Sequence, residues 1–282
     1  MTKALRGLLE GLLYSEAPTA LMGLCMGVLA ARLLGQGLNP YLLGLQGLLP
    51  LLFYSLERNL TWLPPEQSNF PAKSRWLRAN PRLNWGIIFI SGLAALPLLA
   101  TLHWPSLLLL GAGGAVALAY SLLPLPGLKP LKEIPLLKPL AIAFAWTIVT
   151  LGLPLQEGVF PASANVAALA LFWWGGIGAN TLLFDLRDQT HDAAQGRVTL
   201  VICFGPQRTL FLVCLALALQ GGAAIWLVFL LGQTGLTAAL SSACLWVLLQ
   251  SLWLFRHPKP GFLFFLLADI SFCLPALLLP LA

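Results

Sequence analysis

Charge is scarce in this chain. Only 9% of its 282 residues are Asp, Glu, Lys or Arg and its mean hydropathy is +0.85, whereas soluble domains carry roughly 25% charged residues, so an ordinary water-soluble globule is excluded. Histidine is limited to His103, His191 and His257, too dispersed for a haem or redox-metal site. The cysteines, Cys25, Cys203, Cys214, Cys244 and Cys273, are odd in number, without ligand spacing and mostly inside apolar runs, so they read as packing residues. Soluble domains, linkers and low-complexity tails are missing too. The longest loop, near 57–83, is basic and Pro-containing. The net charge of +6 reads as a membrane-topology signal, and no nucleic-acid partner is inferred from it.

What the chain has in abundance is long apolar runs, since 59% of it is hydrophobic. A bilayer core needs about 20 mostly apolar residues per helix. Nine stretches answer that requirement, near 17–34, 39–56, 84–102, 105–124, 139–155, 163–184, 209–232, 236–255 and 261–281. The fold class expected is therefore an all-α, multi-pass integral membrane protein. Residues 1–16 form a separate unit: Leu5, Leu8, Leu9, Leu12 and Leu13 make a helical stripe that Lys3, Arg6 and Glu10 avoid, which is the pattern of an amphipathic helix lying in the interface. The alternative, a cleaved signal peptide, is opposed by Glu10 and Glu16, which interrupt its apolar core. With nine spans after it, 15 of the 16 Lys and Arg fall on one side and only Arg32 on the other. The positive-inside rule places that side, including the N-terminus, in the cytoplasm, as for a bacterial-type inner membrane.

Only ten Asp and Glu exist in the chain, and three sit in one run at the inner end of the sixth stretch, Asp185-Leu-Arg187-Asp188-Gln-Thr-His191-Asp192. Spacings of three and four put these carboxylates on one helical face, where they repel each other unless a cation holds them together. Oxygen-rich clusters of this kind suit Mg²⁺, which takes one or two carboxylates plus substrate phosphates. The bland alternative is a solvated charged loop, opposed by the regular spacing and the flanking Asn180 and Arg187.

The acidic loop has a counterpart after the second stretch, Tyr54-Ser-Leu-Glu57-Arg58-Asn-Leu-Thr61-Trp-Leu-Pro64-Pro65-Glu66. With these two loops the chain resembles, over essentially its full length, the UbiA superfamily of intramembrane prenyltransferases. The run Asp185-x-x-Asp188-x-x-x-Asp192, followed by Gly196 and Arg197-Val-Thr199-Leu200, matches the family's second Asp-rich motif, and Lys129-Pro-Leu-Lys132-Glu-Ile-Pro135-Leu-Leu-Lys138 resembles its basic loop. The resemblance implies nine transmembrane helices around a central cavity, Mg²⁺ as cofactor, an isoprenyl diphosphate donor and a hydrophobic or aromatic acceptor. It implies catalysis and metal binding by Asp185, Asp188 and Asp192, with Glu57 as a weaker metal partner. Arg58, Lys132, Lys138 and Arg187 are the candidates for diphosphate contacts, and anchoring to anionic headgroups is the other reading of the basic residues. Asn180 either orients the cluster or makes a helix contact. The first motif departs from the family: where three Asp spaced by four are expected, Glu57, Thr61 and Pro65 stand.

Asp269 lies inside the last stretch and needs a partner or a cavity. Trp146, Trp173 and Trp174 sit at mid-span and either line a cavity, stabilising a carbocation, or pack beside Gly175, Gly176 and Gly178. Two functions follow: a polyprenyl transferase serving quinone, pigment or related lipid synthesis, and a non-catalytic relative retained for lipid binding or assembly. A solute transporter is a distant third, because charge inside the spans is nearly absent and no pair of broken spans marks a midplane site.

Overall fold

The computed structural model describes residues 3–60, 68, 70–121, 134–135, 137–157, 163–232, 234–256 and 263–278. Thr61, Pro64, Pro65, Glu66, Lys129, Lys132 and His257 lie outside the described residues. Leu- and Ala-rich runs with Pro at their entrances give helices throughout. They are α1 (Lys3–Tyr14), α2 (Ala17–Leu33), α3 (Pro40–Leu60), α4 (Pro71–Ala79), α5 (Pro81–Leu99), α6 (Trp104–Ser121) and α7 (Leu137–Thr147), the last continued by a π-helical segment (Ile148–Gly152) and α8 (Leu153–Glu157). After these come α9 (Ser163–Ala194), α10 (Leu200–Phe204), α11 (Pro206–Leu231), α12 (Thr234–Arg256) and α13 (Leu263–Leu278). The start of α3 shows the local logic: Pro40 opens the helix, and the Asn39 side chain accepts hydrogen bonds from the amides of Tyr41 at 2.9 Å and Leu42 at 3.4 Å.

Helix α2 packs on α3 and α3 on α5. On the other side α6 packs on α7, α7 on α9, α9 on α11, α11 on α12 and α12 on α13, and α13 returns to α2. The last apolar helix thus lies against the first. Small residues permit the closest approaches. A Cβ on Gly27 of α2 would fall 1.7 Å from Gln46 Oε1 of α3, and one on Gly175 of α9 would fall 2.6 Å from both Ala216 O and Gln220 N of α11. Gly176 is equally tight, against the Gln220 side chain, whereas nothing lies near Gly178. The main core joins Met26, Leu29, Trp146, Phe172, Trp173, Leu227 and Phe272.

The periphery is apolar as well. Phe89, Ile90 and Leu93 of α5 and Ile225 and Phe229 of α11 are exposed, a surface suited to lipid rather than water. Among the described residues four helices are long and apolar enough to cross a membrane, Pro81–Leu99, Leu137–Leu155, Ala164–Ala194 and Pro206–Leu231, and three more are apolar but shorter. The nine spans expected are not reached by length and composition. Helix α3 carries Gln46, Glu57, Arg58 and Asn59, and α13 is described over only 16 residues.

Candidate functional site

Helix α9 is continuous for 32 residues, about 48 Å at 1.5 Å per residue, against a hydrocarbon core of roughly 30 Å. Asp185, Asp188 and Asp192 therefore ride on its last three turns, so the helical spacing expected of the run is met by a helix that continues past the sixth apolar stretch, and the solvated-loop alternative is not. The helix stops at Gly196, whose φ of 66° takes the left-handed conformation that glycine accepts without a Cβ penalty. The Arg197 amide donates to Asp192 O at 2.9 Å and the Gly196 amide to Ala193 O at 3.1 Å, closing the terminus in a Schellman motif. The same reversal carries the Arg197 side chain back to Asp192, with Nη1 3.3 Å from Oδ1.

Each carboxylate of the run has its own basic partner. Lys138, from the first turn of α7, is hydrogen-bonded and ion-paired to Asp185, which is 1% exposed. Arg187 grips Asp188 through Nε at 2.6 Å and Nη2 at 2.5 Å, while its guanidinium stacks 4.4 Å from the Phe70 ring centroid and 4.7 Å from that of Phe184. Arg197 serves Asp192. The predicted repulsion is thus relieved by three protein cations. Arg197 stands in the motif in the sequence, but its pairing with Asp192 is not expected there, and Phe70 carries no expected role. The signal for Arg197 is a basic residue directly after a glycine stop; Phe70 has none in the sequence.

On the α3 side, Arg58 lies within electrostatic reach of Asp188, Glu57 and Glu16, its Nε 3.5 Å from Glu16 Oε1. Glu16 is buried between α1 and α2, and its φ of 61° is the one positive value for a non-glycine among the described residues. Lys73 of α4 holds the same oxygen at 2.5 Å. Burial pushes the Glu16 carboxyl up, but Lys73 and Arg58 outweigh it and keep it below the usual carboxylate range. Tyr14 and Trp76, with ring centroids 5.9 Å apart, fasten α1 to α4 beside this cluster. Asp269 of α13 lies within reach of Glu16 and Lys73.

Deeper in the bundle, Trp146 Nε1 donates to the Tyr54 hydroxyl at 3.2 Å and the two rings stack with centroids 6.3 Å apart, joining α7 to α3. Trp173 packs on Phe172 and Phe272 and is fully buried. Gln46 of α3 donates to Val149 O at 3.3 Å and Thr150 O at 3.4 Å, within the π-helical segment, where the widened turn presents carbonyls to a neighbour.

These residues fit a divalent cation on one side only. Asp185 Oδ2 and Asn180 Oδ1 are buried oxygens without a hydrogen-bond partner, donors of the type that Mg²⁺ accepts. Among the described residues the α3 side offers a guanidinium and a single carboxylate instead, and no three Asp, Glu, His or Cys side chains converge there as a metal cluster.

Several solved structures share this fold. A UbiA homologue from Aeropyrum pernix K1 in its apo form has a TM-score of 0.67 at 14% identity, with 90% of this chain and 95% of that chain covered. A UbiA homologue from Archaeoglobus fulgidus bound to Cd²⁺ gives 0.60 at 13% identity, covering 94% of this chain and 98% of that one. A digeranylgeranylglyceryl phosphate synthase gives 0.58 at 15% identity, covering 98% and 99%. At these identities the likeness is one of fold. No curated protein matches the chain. The sequence profile of the UbiA prenyltransferase family matches residues 78–269, more than half of the chain and inclusive of α9 with its acidic run, and the chain belongs to that family.

Proposed function

We propose that this protein is a membrane prenyltransferase that moves a polyprenyl group from its diphosphate to a hydrophobic, aromatic acceptor, within nine spans whose N-terminus and acidic segments face the cytoplasm. The observation that carries this reading is the gathering at the end of α9 of Asp185, Asp188 and Asp192 with Lys138, Arg187 and Arg197. Soluble-side charge of both signs is thereby concentrated where an anionic headgroup meets an apolar bundle. Mg²⁺ belongs to this reading at the Asp185–Asn180 side, where it would neutralise charge on the departing diphosphate. Lys138 and Arg58 stand ready to take phosphate oxygens by charge-assisted hydrogen bonds, as does Lys132 by its place in the basic loop. Asp188 and Phe70 hold the Arg187 guanidinium in one orientation. Tyr54 and Trp146 offer π-faces to an allylic cation, and the apolar helices around them exclude water.

The test is formation of a prenylated product from geranylgeranyl diphosphate and an aromatic acceptor by purified protein, with Asp188→Ala and Asp192→Ala alongside. Turnover that both variants abolish, in protein that still inserts, is the expected result; undiminished turnover in either removes the acidic run from the mechanism. The second reading, a non-catalytic lipid-binding or assembly protein, is favoured by the loss of carboxylates at Thr61 and Pro65. It is met by prenyl-diphosphate binding without turnover.

A further inference from the structure

Helix α4 is short, basic and two-faced. Ser74 and Leu77 are buried and Lys73 turns inward to Glu16, so helical spacing leaves Arg75 and Arg78 on the opposite, exposed face. Arg82 is exposed on the first turn of α5, just past the break at Asn80. Steps of three and four carry the same face of α5 on to Trp85, Phe89 and Leu93, which are 51%, 71% and 57% exposed. Arg82 and Leu93 are eleven positions apart, about 16 Å at 1.5 Å per residue. That is the depth of one leaflet in a hydrocarbon core of roughly 30 Å. Counter-charge is missing from the same stretch. Between Glu66 and Glu133 the sequence has no Asp or Glu, so α4, α5 and α6 supply no carboxylate. Helix α1, which packs on α4 from the other side, brings Glu10, and Glu16 beyond it is held by Lys73 and Arg58. Glu10 is one negative charge against three guanidiniums.

We propose that Arg75, Arg78 and Arg82 form, with the apolar stripe of α5, a binding site for an anionic phospholipid, its phosphate on the guanidiniums and one acyl chain along Trp85, Phe89 and Leu93. The site stands on the outside of the bundle and does not depend on how the acidic run works. A guanidinium matches two phosphate oxygens at once, which gives orientation as well as charge. Trp85 sits between the arginines and the stripe, where an amphipathic ring suits the headgroup level. The occupant must be anionic at one end and apolar over the depth of a leaflet, and α5 is a helix able to cross a membrane, so its exposed face opens onto lipid. Helix α11 supplies the contrast: Arg208 stands alone above the exposed Phe211 and Leu215, an apolar stripe with a single cation. Because the inner face of α4 carries Lys73 to Glu16, a lipid seated on the outer face also steadies the helix that holds this buried pair.

The experiment is native mass spectrometry of the full-length protein in detergent with equimolar phosphatidylglycerol and phosphatidylcholine of the same acyl chains. The expected result is a preference for the phosphatidylglycerol adduct of about fivefold or more, the worth of at least one well-placed arginine. Arg75→Gln with Arg82→Gln should bring the ratio to about one, whereas Arg208→Gln, which removes a cation from the α11 stripe, should leave it unchanged. The substituted side chains are exposed, so each variant should keep the melting midpoint of the wild type in phosphatidylcholine. No preference in the wild type overturns the proposal, as does a preference that survives the double variant. An equal fall in Arg208→Gln overturns it too, because the effect would then be one of net charge. A dimer that forms in place of lipid adducts and is lost with Phe89→Asn would assign the face to a second copy of the chain and likewise overturn it.

Discussion

Asp185 is buried near the end of α9, and the group that neutralises it comes from another helix. Removing one member of such a pair leaves an uncompensated charge, whereas removing both does not. Lys138→Met should therefore lower stability by about 3–5 kcal/mol, read as a drop in the thermal midpoint in detergent. Lys138→Met with Asp185→Asn should restore most of it, and a double variant as unstable as the single one would contradict the pairing. Glu16 gives a prediction in pH. Its folded-state carboxyl is held below its unfolded value by Lys73 and Arg58, so its stabilisation is present above the unfolded value and is lost as pH falls through the folded one. The groups facing it are Lys73, Arg58 and Asp269. Hydrogen exchange in α1 and α4 should accelerate below about pH 4, and Glu16→Gln should show fast exchange already at neutral pH. Exchange in the wild type that is flat with pH would count against the clamp.

Helix contacts decide what single methyl groups do. Gly27→Ala and Gly175→Ala would place Cβ atoms 1.7 Å and 2.6 Å from atoms of the neighbouring helix, the second against backbone that cannot swing aside. Each should cost about 1–3 kcal/mol or more. Gly178→Ala and Gly221→Ala meet nothing within 4 Å and should be neutral or stabilising by up to about 1 kcal/mol. Thermal midpoints of the four variants check the contrast, and equal effects at all four positions would remove the close-packing account. The sequence made Gly175, Gly176 and Gly178 equivalent as small residues in an apolar run. It could not separate them, because a one-dimensional pattern does not say which side of a helix meets Gln220. The same limit applies to Lys138: its place in a basic stretch is legible, its reach across to Asp185 is not. The acidic run was legible as one helical face from its spacing alone. That it continues the membrane helix was hidden, because charged residues end an apolar stretch without ending the helix.

At the scale of the whole molecule, composition was enough for an all-helical membrane protein and the motifs for its family, because both are carried by residue type. Sidedness rests on the distribution of Lys and Arg and awaits chemistry. Cys203 is exposed on α10, just beyond the end of α9, whereas Cys25 and Cys273 are buried. A membrane-impermeant maleimide should label Cys203 in inside-out vesicles and not in right-side-out ones; the reverse would invert the proposed orientation. Helix α9 has one more property, as a lever. It is clamped near its middle, where Gly175 and Gly176 press on α11, and Asp188 lies twelve residues further on, about 18 Å at 1.5 Å per residue. A rocking of only about 5° at that fulcrum displaces the carboxylate by about 1.5 Å, and a misplacement of about 1 Å is enough to slow a reaction a hundredfold. Lipid thickness or an acceptor lodged against the middle of the bundle would thus be felt at the charged end without touching it.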